Sequence, residues 1–529
     1  MIRIHSQTQM TLEGFETPFE RQMDKNNRWV KLGECIPWDE FSEAYYQSFS
    51  AKVGRPAKSA RLVIGAVIIK HKLCLGDEET VFMIQENPYL QFFCGLVEFQ
   101  TEQPFAPSLF VEIRRRMGEG TFEQFQQAII NQMEDESAND DHTPPAGKSD
   151  DSDIKTKVAS HSPVDEMPKH DTDSHQGRLI LDATVAEQAI RFPTDLSLLN
   201  EGREISEQLV DLLYEATRDG RKPRTYRRVA RKAYLAIAKQ RRPGKKKLRC
   251  GIKQQLQYLQ RNQGHIDALI DSLPSRKIPL SPKQLKQYWV IQHVYAQQLE
   301  MYDNKTQRCD DRIVSIHQPH VRPIIRGKQN KKTEFGAKLS SSLTDKGLAH
   351  IDNLDWNAFN EGQDLRAQVE NYAARLGYYP ESVHVDPIYG TRENRAYLKE
   401  KGIRFAGKPL GRPKKVTEDN AQQLKQEKQQ RLTDYRQRIP IEGKFGQGKN
   451  GYNLNYIRAK TQRTSEAWVR SIFLVMNLLV LALHFFVFMK KQLVLLKSYS
   501  FFYPLRKILP AWLSRKSMRQ NFAFYSVSF

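Results

Sequence analysis

The sequence predicts an α/β fold, a layered strand-and-helix domain with a helical insert, preceded by an all-α domain. Three observations predict it. Residues 1–133 read as moderately apolar helices with no strand–turn alternation. From Arg178 the order becomes strand, helical run, strands, helix, strand, helix, which is a layered α/β pattern. Between the two lies residues 134–177, with 12 acidic against four basic residues and almost nothing apolar, the composition of a disordered linker.

The chain has 529 residues, 39% hydrophobic, enough for several cores. A short peptide, a wholly disordered chain and a polytopic membrane protein are excluded. Lys plus Arg outnumber Asp plus Glu by 82 to 61, a net charge of +21. Without the acidic linker the remainder carries +29. Such charge speaks of partners, and phosphate polymers are the usual ones. The five cysteines (Cys35, Cys74, Cys94, Cys250, Cys309) are odd in number and widely spaced. A disulfide framework or zinc ribbon is not expected, and a reducing cytosol fits.

In the N-terminal region, Leu62–Ile69 suits a buried helix or a strand, since periodicity does not settle a short apolar run. Gly76-Asp77-Glu78-Glu79-Thr80 opens another helix, and Arg114-Arg115-Arg116 is a basic triplet on a further one. Arg178-Leu-Ile-Leu-Asp182-Ala-Thr-Val185 reads as a buried strand bearing one carboxylate. Residues 202–310 read as a helical insert. Its segment 218–249 holds 15 Lys or Arg against one Asp, with Tyr226 and Tyr234 interleaved. Arg227, Arg228, Arg231 and Lys232 are candidates there for contact with a phosphate backbone. Arg312–His317, Arg322–Gly327 and Thr333–Leu339 read as strands of one sheet. A helix follows at 364–376, a strand at Ser382–Asp386 and a polar helix at 417–437. Residues 471–489 are apolar all round, as a buried helix or a membrane span would be; burial in the core is favoured and no membrane is expected. A basic, aromatic tail occupies 490–529.

Two acids sit where acids are costly. Asp182 lies inside a strand, and Asp386 closes Val383-His384-Val385 at a strand's carboxyl end, where α/β sheets bind ligands. A third, Glu442, belongs to Tyr435-x2-Arg438-x3-Glu442-x6-Lys449. At 100° per residue these four types fall within about 60° of one helical face. Pro440 and Gly443 count against one straight helix, and a helix starting near Pro440 is an alternative. Gly443-x4-Gly448-Lys449 is nearly a phosphate-binding loop, but Asn450 replaces the hydroxyl residue. Asp195 is either a supporting acid or a helix cap, and a metal site at His317-Gln-Pro-His320 is not expected. Gly54-Arg-Pro56 and Gly411-Arg-Pro413 are more simply loop turns than minor-groove hooks.

Asp182, Asp386 and Glu442 resemble the Asp-Asp-Glu triad of bacterial insertion-sequence DDE transposases, and Tyr435/Arg438/Glu442/Lys449 resembles the Tyr-Arg-Glu-Lys signature of their insertion-sequence-five-like division. The strings Leu181-Asp-Ala-Thr-Val185, Phe192-Pro-Thr-Asp195, Asp386-Pro-Ile-Tyr-Gly-Thr-Arg-Glu-Asn-Arg395 and Ile441–Lys449 are similar to that family's text, and Val53-Gly-Arg-Pro56 and Pro104-Phe-Ala-Pro-Ser108 to its N-terminal helical domain. The resemblance covers roughly residues 40–130 and 178–485. It implies a ribonuclease-H-like catalytic domain at 178–489 and a DNA-binding domain at 1–133. It implies a transposase that binds terminal inverted repeats, then cuts and joins DNA. Two Mg²⁺ ions, with Mn²⁺ as a substitute, would sit on Asp182, Asp386 and Glu442, because hard cations take oxygen ligands and a metal pair serves phosphodiester chemistry. Tyr435, Arg438 and Lys449 would contact phosphates. A working homodimer on double-stranded DNA and a cytoplasmic, nucleoid location follow from the same resemblance. Alternatives are a decayed, non-catalytic DNA-binding protein and a nuclease that cuts without joining.

Overall fold

A computed structural model describes residues 23–49, 56–138, 175–217, 220–273, 277–325, 333–411, 417 and 420–502. Most of the acidic segment, the Gly54-Arg-Pro56 and Gly411-Arg-Pro413 motifs in large part, and the tail after 502 lie outside these residues.

The N-terminal region is helical throughout: α1 (Arg28–Cys35), α2 (Trp38–Tyr46), α3 (Ala60–Lys72), α4 (Asp77–Glu86), α5 (Pro88–Phe93), α6 (Leu109–Arg116) and α7 (Glu119–Ala138). Asn27 caps α1 and Asn87 caps α5, each accepting from the first-turn amides, and Pro88 takes the first helical position. The ambiguous run at 62–69 is helical and buried on every side as α3. The basic triplet is largely committed within the fold. Arg114 donates to both oxygens of Asp77 at 2.9 and 2.7 Å, Arg115 pairs with Glu112 at 2.8 Å, and Arg116 lies over the Phe49 ring.

The second region is built on a six-stranded mixed sheet: β1 (Arg178–Glu187), β2 (Arg322–Ile325), β3 (Thr333–Thr344), β4 (Ala349–Asp355), β5 (Ser382–His384) and β6 (Arg404–Ala406). β3 lies antiparallel to β1 on one side and to β2 and then β4 on the other. β5 runs parallel to β1, and β6 parallel to β5. Four helices fill the connection after β1: α8 (Asp195–Thr217), α9 (Arg227–Ala238), α10 (Lys245–Asp271) and α11 (Pro282–Asp303). Then come α12 (Leu365–Leu376), α13 (Arg392–Glu400), α14 (Ala421–Gly451) and α15 (Gln462–Phe502).

The two faces of the sheet are covered by different layers. Leu179, Leu181 and Val383 point to a core with Leu365, Val369, Tyr372 and Leu398 of α12 and α13. Ile180 and Ala186 point the other way, into a core shared with α14, α15 and the N-terminal helices. The helical region is thus no separate body. Ile472 to Met476 on α15 are buried all round because α3, α6 and α7 pack on one side and β4 on the other. A buried Lys70 helps join the two regions: it pairs with Asp77 at 2.8 Å, donates to Leu75 O, and lies over the Trp468 ring of α15. Asn477, a polar break in the apolar run, donates to Ala349 O and Gln126 Oε1 and accepts from Ala349 N, so its amide is satisfied. By length and composition 462–490 suffices to cross a membrane, but half of its most apolar stretch is buried inside the protein.

Four expectations are corrected. The segment 312–317 is no strand. Ile313, Val314 and Ile316 are buried for packing, and the Ile313 amide donates to Gln297 Oε1 rather than to a neighbouring strand. The insert starts at Asp195, not near 202, because Thr194 Oγ1 caps its first turn by accepting from Ser197 N. α7 runs to Ala138 and α15 to Phe502, past the boundaries at 133 and 489; Lys490, Lys491 and Gln492 end the apolar run, yet all are sound helix formers. Finally, α14 runs unbroken from 421 to 451 through Pro440 and the glycines beyond. An interior proline costs about 3 kcal/mol. Here it lies on the solvent side, while Ile441 and Phe445, four apart, are buried and hold the helix down. Gly443 to Lys449 are therefore helical and form no phosphate-binding loop.

One packing detail carries a pH dependence. The His320 ring meets Trp356 edge-on at 4.4 Å, and its Nε2 is buried without a partner among the described residues. Burial, helped by the charges of Lys286 and Arg322, pushes its pKa down to about 4. The folded chain therefore holds a neutral imidazole where the unfolded chain, with a pKa near 6.5, takes a proton. This stability contribution is complete above pH 6.5 and is lost as the pH falls toward about 4. His320→Phe should flatten the fall in melting temperature across that window; an unchanged pH profile would contradict it.

Candidate active site

The three acids reach one place through sheet register. β1 and β5 are parallel, with Ile180 opposite His384. Two residues on, alternation returns both chains to the same face, so Asp182 and Asp386 stand side by side on the face that α14 crosses. Nothing in the sequence between them encodes that pairing locally.

α14 supplies the third. Its position is pinned by Asp434, which accepts from Arg404 Nη1 of β6 at 3.0 and 2.9 Å, and by its carbonyl, which faces His384 Nδ1 at 3.4 Å. Arg438 and Glu442 follow at successive steps of four, so the same helix face carries them over the acids of the sheet. Asp434 and Arg404 are positioning residues that sequence reasoning missed; the four-residue spacing from Asp434 to Arg438 was the available signal.

At the centre stands Arg438. Its Nη1 lies 2.8 Å from Asp386 Oδ1 and 3.9 Å from Asp182 Oδ2, and its Nη2 donates to Glu442 Oε1 at 2.5 Å. One guanidinium, 12% exposed, thus contacts all three predicted acids. Burial alone would lower its pKa, but the charges of Asp386, Glu442 and Asp182 outweigh this and hold it above the usual arginine value. Asp182 Oδ1 also accepts from Ala183 N at 2.8 Å. Glu442 and Asp386 are about half exposed and open to solvent on their outer side.

The donor set suits a hard divalent cation: three carboxylates, no thiolate. As folded, the guanidinium lies between them, and among the described residues no three Asp, Glu, His or Cys side chains are gathered closely enough to hold one ion.

The other predicted residues fall at varied distances from this centre. Tyr435 is exposed, with Arg438 at 5.7 Å from its ring, and Lys449 lies half-buried near the far end of α14. Arg227 is tied to α8, its Nη2 donating to both oxygens of Asp211. Arg228, Arg231 and Lys232 are exposed on α9. Asp195 pairs with Arg312 at 2.6 Å and accepts from Gln298, fastening the insert and touching none of the three acids. His317 turns to Glu201 and His320 to Trp356, so they form no joint site. All five cysteines are free thiols.

Comparisons with known proteins find transposase domains in both regions. Residues 383–479 match the family described as Transposase DDE domain, and residues 17–116 the family described as Transposase domain (DUF772). The first match contains both Asp386 and Glu442. Over 101 residues the chain is 43% identical to an uncharacterized protein, ORF8 in the nfe locus of Rhizobium meliloti. That alignment covers 19% of this chain and 48%, about half, of the relative. No solved structure matches. Each of the two regions thus carries a match to a transposase domain family, consistent with an insertion-sequence DDE transposase.

Proposed function

We propose that the chain cuts DNA at the ends of an insertion sequence and joins the freed 3′ ends to a target, using divalent metal ions held by Asp182, Asp386 and Glu442. The observation that carries this reading is the convergence of those three acids, from two parallel strands and a crossing helix, on the single guanidinium of Arg438. The strand arrangement supports a ribonuclease-H-like reading of the sheet. β1, β3 and β4 form the antiparallel part, and β5 and β6 extend it in parallel from the other edge of β1.

The bound ions, Mg²⁺ by the chemistry of the donors, would make water or a 3′-hydroxyl nucleophilic and stabilise the leaving oxygen. The chain's own residues then have distinct tasks. Asp182 is held by its strand and is the most buried of the three anchors. Asp386 and Glu442, more exposed, face incoming ligands. Arg438, released from the acids as cations enter, is placed to offer its fork to a phosphate, with Tyr435 and Lys449 on the same helix face. The N-terminal helices are assigned to the inverted repeats. Synapsis of two ends calls for a homodimer, and the working place is the bacterial nucleoid in the cytoplasm.

The test is a cleavage and strand-transfer assay on duplexes carrying the element's ends. Cutting and joining should require Mg²⁺ or Mn²⁺ and stop with a chelator. Cutting without joining of a pre-cut 3′ end would reduce the reading to a nuclease. Binding without any cutting would reduce it to a DNA-binding protein.

A further inference from the structure

The helical insert holds a cluster that the acidic centre does not use. Tyr226, one residue ahead of α9, has φ +55°, a left-handed conformation that a bulky residue adopts at a cost. The residue is 41% exposed and its ring is contacted by two guanidiniums, Arg224 at 4.8 Å and Arg261 of α10 at 4.9 Å from the centroid. Two like charges are thereby drawn to one phenol at the protein surface.

The surrounding charges are sorted. Two acids of α8 are engaged by basic partners: Asp211 by Lys222 and Arg227, and Glu207 by Arg203. Arg224, Arg228, Arg231, Lys232 and Arg261 are exposed and form no ion pair with any described residue. The face is also held rigidly. Ala230 and Ile237 bury against α10, where Gly251 permits the approach; a Cβ there would lie 2.3 Å from Ile237 Cδ1. Gln255 Nε2 donates to Ala230 O across the same contact. Unpaired cations held together on a fixed surface repel one another, and a polyanion with regularly spaced charges relieves this. Stacking on an aromatic ring fixes the plane of an arginine fork, which then meets phosphate oxygens with less entropy to lose. The insert also leaves the sheet from the carboxyl end of β1, the end at which the parallel β5 delivers Asp386.

We propose that Arg224, Tyr226 and Arg261, continued by Arg228, Arg231 and Lys232, form a clamp for the sugar-phosphate backbone of duplex DNA, independent of base sequence. The inference rests on the reading that DNA is the substrate. Arg227, bound to Asp211, is a positioning residue for the start of α9 and no part of the clamp.

The experiment uses the full chain and a fluorescent duplex of arbitrary sequence, with binding measured by anisotropy over a range of salt. Arg224→Ala/Arg261→Ala should weaken binding at least about tenfold at moderate salt. It should also reduce the slope of log affinity against log salt by about two, at about 0.9 for each phosphate no longer neutralised. Tyr226→Phe, which keeps the ring, should bind like the wild type. A double variant that melts like the wild type and keeps its affinity and slope would overturn the clamp. So would one that loses binding only to vesicles of anionic phospholipid. A wild-type chain that binds no duplex at all would instead sink the transposase reading.

Discussion

Glu442→Gln should leave duplex binding intact and slow Mg²⁺-dependent cleavage by about 10³-fold or more, about 4 kcal/mol of transition-state stabilisation. The substitution keeps the length and shape of the side chain and so keeps α14 in place. Half of the side chain is exposed, and its hydrogen bond from Arg438 can pass to the amide oxygen, so little folding stability is at stake. What disappears is one of three negative charges over the place where the ions must sit. Glu442→Asp retains the charge but withdraws it by one methylene and should fall between the two. Cleavage is scored on end-labelled duplex and binding by anisotropy on the same samples. A Gln variant that cuts at the wild-type rate would remove Glu442 from the catalytic set.

The second large effect concerns Arg438. Arg438→Met deprives Asp182, Asp386 and Glu442 of a shared partner. Breaking a fully buried pair costs about 3–5 kcal/mol; with two of the three acids half exposed, about 2 kcal/mol is the fitting order of magnitude. That loss should appear in a chelator-treated sample and shrink as Mg²⁺ is added, because cations then do what the guanidinium did. The wild type, which must release Arg438 to admit ions, should gain less melting temperature from Mg²⁺ than the variant. Cleavage should still suffer, since the phosphate contact is gone. Thermal melts of both proteins across a Mg²⁺ series decide the matter. Equal melting and equal responses would show that the guanidinium is not the acids' counter-charge.

Arg438 also shows how far spacing carries an argument. Placing 435, 438, 442 and 449 on one helix face required only an unbroken helix, and α14 is unbroken. Pro440 disfavours that continuity locally, and the burial of Ile441 and Phe445 outweighs the local preference. The segment 312–317 failed in the opposite sense. Its apolar residues suggested pairing, but they serve side-chain packing with the insert, and a glutamine satisfies the Ile313 amide. Asp195, read as a supporting acid or a helix cap, is neither: Thr194 caps α8, and Asp195 pairs with Arg312, over a hundred residues away, which no local pattern could show.

Residue type, alternation and helical spacing, all local properties, were enough to mark Asp182 and Asp386 as acids placed at a cost, to put Glu442 on one helix face with Tyr435, Arg438 and Lys449, and to mark the basic insert. The tertiary structure alone decided that they meet, because a parallel register between β1 and β5 is a choice between distant segments that neither strand encodes by itself. It decided equally that a guanidinium stands among the acids, and which arginines of the insert are spent on the fold and which are left to face outward. Those assignments depend on which carboxylates lie within a few ångströms, and that is a property of packing.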